Sequence, residues 1–219
     1  SLLPQSLDKI SLLGQEATPL IGNASMAGAL VIDNTLNSQP LTMAFAEYGT
    51  DDNVNLSISN KLNTGRYSHH ISADIRDNAN HYQYKNGPLE VEQDRAAFTN
   101  YSLNYLSGYH VSNKLNVEVG AWLQSSERSL PPSKTSAPID QHQDDDNYRA
   151  SLSGKYTIDA YSYLHLRTAY FNESIHYRAP GIDSKSIAEV YNAAIDYSTN
   201  YGWAFSLATR VDQVEATFF

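Results

Sequence analysis

From Leu41 onward the chain alternates apolar and polar residues with a period of two. The pattern is plainest between Phe98 and Gln124. Tyr101, Leu103, Tyr105 and Tyr109 alternate with Ser102, Asn104 and Gly108. After the polar break Ser112-Asn113-Lys114, Leu115, Val117, Val119, Ala121 and Leu123 alternate with Asn116, Glu118, Gly120, Trp122 and Gln124. Period-two alternation predicts strands, and a short polar break between two of them predicts a hairpin. Each strand runs to about ten residues or more, against a usual length of about five or six.

The same reading predicts about nine strands. Leu41, Met43 and Phe45 share one side of the first, and Val54, Leu56, Ile58 and Leu62 one side of the second. His69, Ile71, Ala73 and Ile75 oppose His70, Ser72, Asp74 and Arg76 in the third. The stretch from Phe98 supplies the fourth and fifth. Tyr148, Ala150, Leu152, Gly154 and Tyr156 oppose Arg149, Ser151, Ser153 and Lys155 in the sixth, and Leu164, Leu166 and Tyr170 oppose His165 and Arg167 in the seventh. Tyr191, Ala193, Ile195 and Tyr197 mark the eighth; Trp203, Phe205, Leu207 and Val211 mark the ninth. Connections near 63–65, 112–114, 159–160 and 199–202 are short, whereas polar breaks near 77–97, 125–147 and 172–186 are long; the Gly49–Asn53 connection is the brief exception on that side. Long alternating strands with short turns on one rim and long loops on the other predict an all-β fold: an antiparallel, up-and-down transmembrane β-barrel wall. Apolar sets should face lipid. Polar sets, with Asn104, Glu118, Arg149, Lys155 and Arg167 among them, should face the lumen.

Composition fits this picture. The 219 residues hold 16 Tyr against 6 Phe and 2 Trp, which suits interfacial aromatic girdles. Mean hydropathy is −0.46, and no apolar run is long enough for a membrane helix. A net charge of −9 argues against nucleic acid as the main partner. There is no cysteine, hence no disulfide framework or thiolate metal site. Ser1-Leu2-Leu3-Pro4 lacks a basic start and an apolar core, so the chain reads as a mature protein or a fragment.

Residues 1–34 differ from the rest. Ile10 to Gly14 and Ala29 to Asp33 read as short strands around the small-residue run Thr18 to Gly28, a compact turn-and-helix segment. The stretch from Pro4 to Asn34 resembles the end of the plug domain of TonB-dependent outer-membrane receptors. The resemblance rests on the strand Ile10 to Gly14, the turn Ala17 to Asn23, and the run Ala24 to Ile32. Ala27-Gly28 stands where members often have Gly-Gly, Ile21 where they often have tyrosine, and Leu13 where a basic residue is common. Asp145, Asp146 and Arg149 also resemble the D-D-x-x-R opening of a strand after an extracellular loop. The resemblance implies residues 1–38 as the C-terminal part of a plug, and residues 39–219 as the first part of a barrel of about 22 strands. It further implies a bacterial outer-membrane location and active uptake of a scarce nutrient such as a siderophore, haem, cobalamin or a glycan. The partners implied are outer-membrane lipid, a small-molecule or iron-chelate substrate, and TonB, engaged through a plug region absent from this chain.

Candidate sites are few. Asn23, Asn78, Asn80 and His81 are candidate substrate contacts. Asp140, Asp144, Asp145 and Asp146 form an acidic stretch that could ligate calcium, which takes several oxygen ligands; a solvated loop is the plainer reading. No catalytic residues are expected. His70 and Asp74 share a strand face, as do His165 and Arg167, but nothing supplies the third group of a nucleophilic triad, so a polar network is favoured. The glycines of GNASMAG lack the lysine of a phosphate loop. The alternatives are a small self-contained outer-membrane barrel acting as a pore or adhesin, a barrel enzyme, and a soluble lectin-like sandwich.

Overall fold

A computed structural model describes residues 9–13, 29–33, 36, 39–50, 52–93, 95–131, 139–201 and 204–218, with backbone alone for 9–13, 29–33, 86, 204–214, 216 and 218. Its elements are β1 (Lys9–Leu13), β2 (Ala29–Asp33), β3 (Leu41–Gly49), β4 (Asn53–Asn63), β5 (Tyr67–Asn78), β6 (Tyr82–Asn86), β7 (Leu89–Gln93), β8 (Phe98–His110), β9 (Leu115–Ser129), β10 (His142–Thr157), β11 (Ser162–Ala179), β12 (Ile182–Asn200) and β13 (Ala204–Phe218). β3, β4, β5 and β8 to β13 form one nine-stranded antiparallel sheet in chain order, with β3 and β13 at its edges. The strand β1 pairs with β2, and β6 with β7, as separate two-stranded sheets. The predicted turn-and-helix segment at 18–28 lies outside the described residues.

Register fixes which side chains share a face, because successive residues point to opposite sides. Ile58, Ala73, Leu103, Leu123 and Tyr148 lie in one row across five strands. One residue along, Ser57, Asp74, Ser102, Gln124, Asn147 and Glu173 form the neighbouring row on the other face. Among the described residues no hydrophobic side chain is buried, whereas Asn100 is 0% exposed and His70 4%. Tyr101, Leu103, Val119, Leu152 and Leu166 are all exposed on the apolar face. A sheet that folds in water does the reverse. The side chains of Phe205 and Leu207, expected on this face, lie outside the described residues.

Tyrosines rim the apolar face. Tyr48, Tyr101, Tyr148, Tyr170 and Tyr191 form an upper belt; Tyr67, Tyr109, Tyr156 and Tyr197 form a lower one. Tyr170 and Tyr191 lie in contact, with ring centroids 4.8 Å apart and planes tilted by 39°. From Tyr148 to Tyr156 the strand rises about 26 Å. The lower turns are stapled to one another: the Thr157 N–H donates to the Lys114 carbonyl at 2.7 Å, and the Asn200 N–H to the Tyr161 carbonyl at 3.0 Å. The Tyr201 hydroxyl also donates to the Asp159 carboxylate. That bond, helped by the Tyr161 N–H at 2.8 Å, holds Asp159 below the usual carboxylate range.

Two expectations change. The polar stretch 172–186 is no loop: β11 and β12 run on and meet at Pro180-Gly181, where Gly181 takes φ +76°. Similarly β9 extends to Ser129 and β10 begins at His142, so Asp144, Asp145 and Asp146 are strand residues. Alternation reports which face is apolar, and it breaks where polar residues take over the apolar parity even though the hydrogen-bonded ladder continues. The second change concerns β3. Its register places Leu41, Met43 and Phe45 opposite Lys61, Ser59 and Ser57, on the polar face, and Thr42, Ala44 and Ala46 on the apolar one. The break at 77–97 is long, as expected, and contains the β6–β7 hairpin.

Candidate functional site: the polar face and its upper extension

On β9 to β12 the polar face is held by ion pairs that each reach one strand forward. Arg128 on β9 bonds Asp145 on β10. Arg149 on β10 donates to Glu173 on β11 at 2.7 Å. Arg167 on β11 bonds Asp196 on β12. Arg149 also lies over the Trp122 ring at 4.2 Å and faces Phe171 at 5.6 Å, and Lys155 lies over Tyr163 at 4.2 Å. Such stacking suits guanidinium, which is planar and weakly hydrated. On β5, β8 and β9 amides and hydroxyls carry a network that ends on the Asp74 carboxylate. Gln124 donates to Asn100 at 2.8 Å, Asn100 to Asp74 at 3.5 Å, and the Trp122 indole to Ser102 at 3.3 Å.

Leu36, just before β3, rests on this same face. A Cβ on Gly108 would stand 2.8 Å from its Cδ1, and the end of the leucine side chain would have to shift to admit it. The approach to β3 therefore comes from the polar side.

On β11 and β12, above the upper belt, the two faces change character. Asp144, His176, Arg178, Asp183 and Lys185 continue the parity of the apolar face, and Arg178 and His176 pair with Asp144 and Asp183. On the other side Phe171, Ile175, Tyr177, Ile182 and Val190 continue the polar face, and Ile182 is 54% exposed. There β11 and β12 present charge to one side and, beside Glu173, an apolar, partly aromatic surface to the other.

No protein-family model matches the chain, and no curated protein matches it. Among solved structures it is similar to the siderophore receptor PiuA from Acinetobacter baumannii, with a TM-score of 0.72 at 8% identity. The chain shares the fold of part of that protein. The match covers 97% of this chain and 36% of that one, so the chain spans about a third of that receptor. At such identity the backbone path is shared and the side chains are this chain's own.

Within this fold the expected site residues scatter along the upper rim. Asn23 lies outside the described residues. Asn78 ends β5; Asn80, at φ +50°, donates its amide to the Ala96 carbonyl at 2.7 Å and so shapes its own loop. His81 shares a hollow of about 710 Å³ with Tyr48, Gly49, Thr50 and Asp52. Asp140 pairs with Arg95 at 3.3 Å. Alternation puts Asp145 on the polar face and Asp144 and Asp146 on the other. Asp145 is taken by Arg128 and by the Gln143 amide, the latter at 2.7 Å. Among the described residues no group of three His, Cys, Asp or Glu is placed to hold a metal ion. Sequence reasoning missed the aromatic seat of Arg149 and the inward set of β3. Both depend on cross-strand register, which alternation within one strand does not carry.

Proposed function

We propose that this chain is part of a TonB-dependent outer-membrane receptor that imports a scarce nutrient, of the siderophore, haem, cobalamin or glycan kind. Residues 1–38 would be the end of its plug and residues 39–219 the first part of its wall. The observation that carries this reading is a sheet with the siderophore-receptor path whose apolar side is exposed between two tyrosine belts and whose polar side is shielded. The apolar face meets lipid, where unpaired backbone groups are intolerable and a closed antiparallel wall is one of two solutions. The polar face lines the lumen. The upper extension stands outside the cell, and its inner Phe171, Ile175, Tyr177 and Ile182 offer the first surface to an incoming ligand, beside Asn78, Asn80 and His81. Energy reaches the plug from TonB through a region outside this chain.

The test is uptake by cells carrying the whole receptor, with TonB present or deleted. Radiolabelled iron–siderophore, haem, cobalamin and oligosaccharide are offered in turn. One of them should accumulate, and accumulation should vanish when either the receptor or TonB is removed. Uptake that persists without TonB would mark a passive pore; binding to a host surface with no uptake would mark an adhesin.

A further inference from the structure

The inverted strand β3 builds a cavity. On the polar face, Met43 and Phe45 with Ser57, Ser59, Ser72 and Asp74 line a space of about 350 Å³. One wall is apolar and comes from β3; the floor is polar and comes from β4 and β5. Two floor groups can take a further donor. Asp74 is 5% exposed; Asn100 reaches it only at 3.5 Å and Ser102 gives it a side-chain hydrogen bond, which leaves lone pairs for a further donor. Arg76, two residues further along the same face, acts on it through its charge. Ser72 is 6% exposed, and its Oγ is buried with no hydrogen-bond partner among the described residues. A shielded carboxylate and an unmatched hydroxyl each cost free energy unless something pairs with them. A charged N–H donor would satisfy both with short, strong bonds. The Met43 and Phe45 wall suits an alkyl stem that carries such a donor, as the methylenes of lysine do.

We propose that this cavity binds a primary ammonium group carried on a short alkyl chain, with Asp74 and Ser72 receiving the ammonium and Met43 and Phe45 the stem. The assignment rests on the polar face being the lumen wall of the receptor proposed above. Two sources share this chemistry: an amine-bearing solute, or a lysine of the protein itself. Within residues 1–38 Lys9 is the sole Lys or Arg.

The whole receptor, purified in amphipol, is titrated with n-butylammonium by calorimetry, and 1-butanol serves as the uncharged control. One saturable site is expected, with butanol at least tenfold weaker. Asp74→Asn, which keeps the shape and removes the charge, should weaken binding at least tenfold, and Ser72→Ala severalfold. Circular dichroism and the heat-dependent gel shift establish that both variants fold. If the protein's own Lys9 fills the cavity, Lys9→Gln exposes or tightens the site; if a solute is the natural ligand, Lys9→Gln leaves it unchanged. Equal binding of butanol, unchanged binding in folded Asp74→Asn, or no saturable site in either the wild type or Lys9→Gln overturns the proposal. The readout needs no transport, so its failure is distinct from failure of the uptake test.

Discussion

Leu166 and Asn192 stand on adjacent strands and meet opposite surroundings. Leu166 is 50% exposed on the apolar face, between the tyrosine belts; Asn192 faces the polar side, opposite Ala169 and Asp212. Leu166→Arg should cost about 2–4 kcal/mol in a folding titration of the whole receptor in lipid, as for a charge at mid-membrane. Asn192→Arg should stay within about 0.5 kcal/mol, as a change on a wetted surface does. Equal costs would contradict the assignment of the faces. Arg149 tests which of two interactions matters more at one residue. Its bond to Glu173 joins side chains 34% and 48% exposed, and such pairs contribute about 0–1 kcal/mol. Its seat between Trp122 and Phe171 excludes more water and needs a flat cation. Arg149→Lys should therefore cost about 1 kcal/mol, and Glu173→Gln less than half of that. The reverse order in denaturant titrations would show that the ion pair, not the stack, holds the site.

At the scale of the element, the nine long strands and the short lower turns were legible because the apolar face enforces a strict period of two. Where that constraint ended, the pattern ended. Asn172, Ser174, His176 and Arg178 give no apolar signal, although the backbone beneath them is continuous strand. The offset of β3 was hidden for a different reason: its own alternation is clear, and only its pairing with Ser57 and Ser59 tells which side is which. The candidate site was less legible still. An acidic run looks like one cluster in sequence, and a strand divides it between two faces. The lower turns yield a pH prediction. Asp159 is held below its ordinary range in the folded protein, first by the Tyr201 hydroxyl and then by the Tyr161 N–H. A depressed carboxylate contributes stability that is present above the unfolded value, about 3.9, and lost as pH falls through the folded one. Amide exchange at Tyr161 should therefore speed up below about pH 4 beyond the intrinsic rate. Asp159→Asn should remove that pH dependence.

At the scale of the whole molecule the main fact is an open sheet. β3 and β13 stand at its edges, and an edge in hydrocarbon leaves N–H and C=O groups unpaired, at several kcal/mol each. Residues 1–219 expressed alone should therefore aggregate in detergent, or fold only when the remaining strands are supplied as a second piece. A monomeric β-rich band that shifts on boiling would show instead that these strands close by themselves. The tyrosine belts set the geometry of that closure. Tyr101 on β8 shares a hydrogen-bonded row with Ile187 on β12, yet the belt on β12 runs through Tyr191, four residues further down. Four residues are about 13 Å along a strand and four strand spacings about 19 Å across, so the belt cuts the rows at about 35°. For belts lying at the two surfaces of a membrane, as proposed, that angle is the tilt of the strands against the bilayer normal, at the low end of the range for such walls, about 35–45°. A cylinder of about 22 strands at this slant would be about 40 Å across, with these nine covering about two-fifths of its circumference. Residues at equal depth are thus not residues in the same row, and a depth scan of the wall must follow the diagonal.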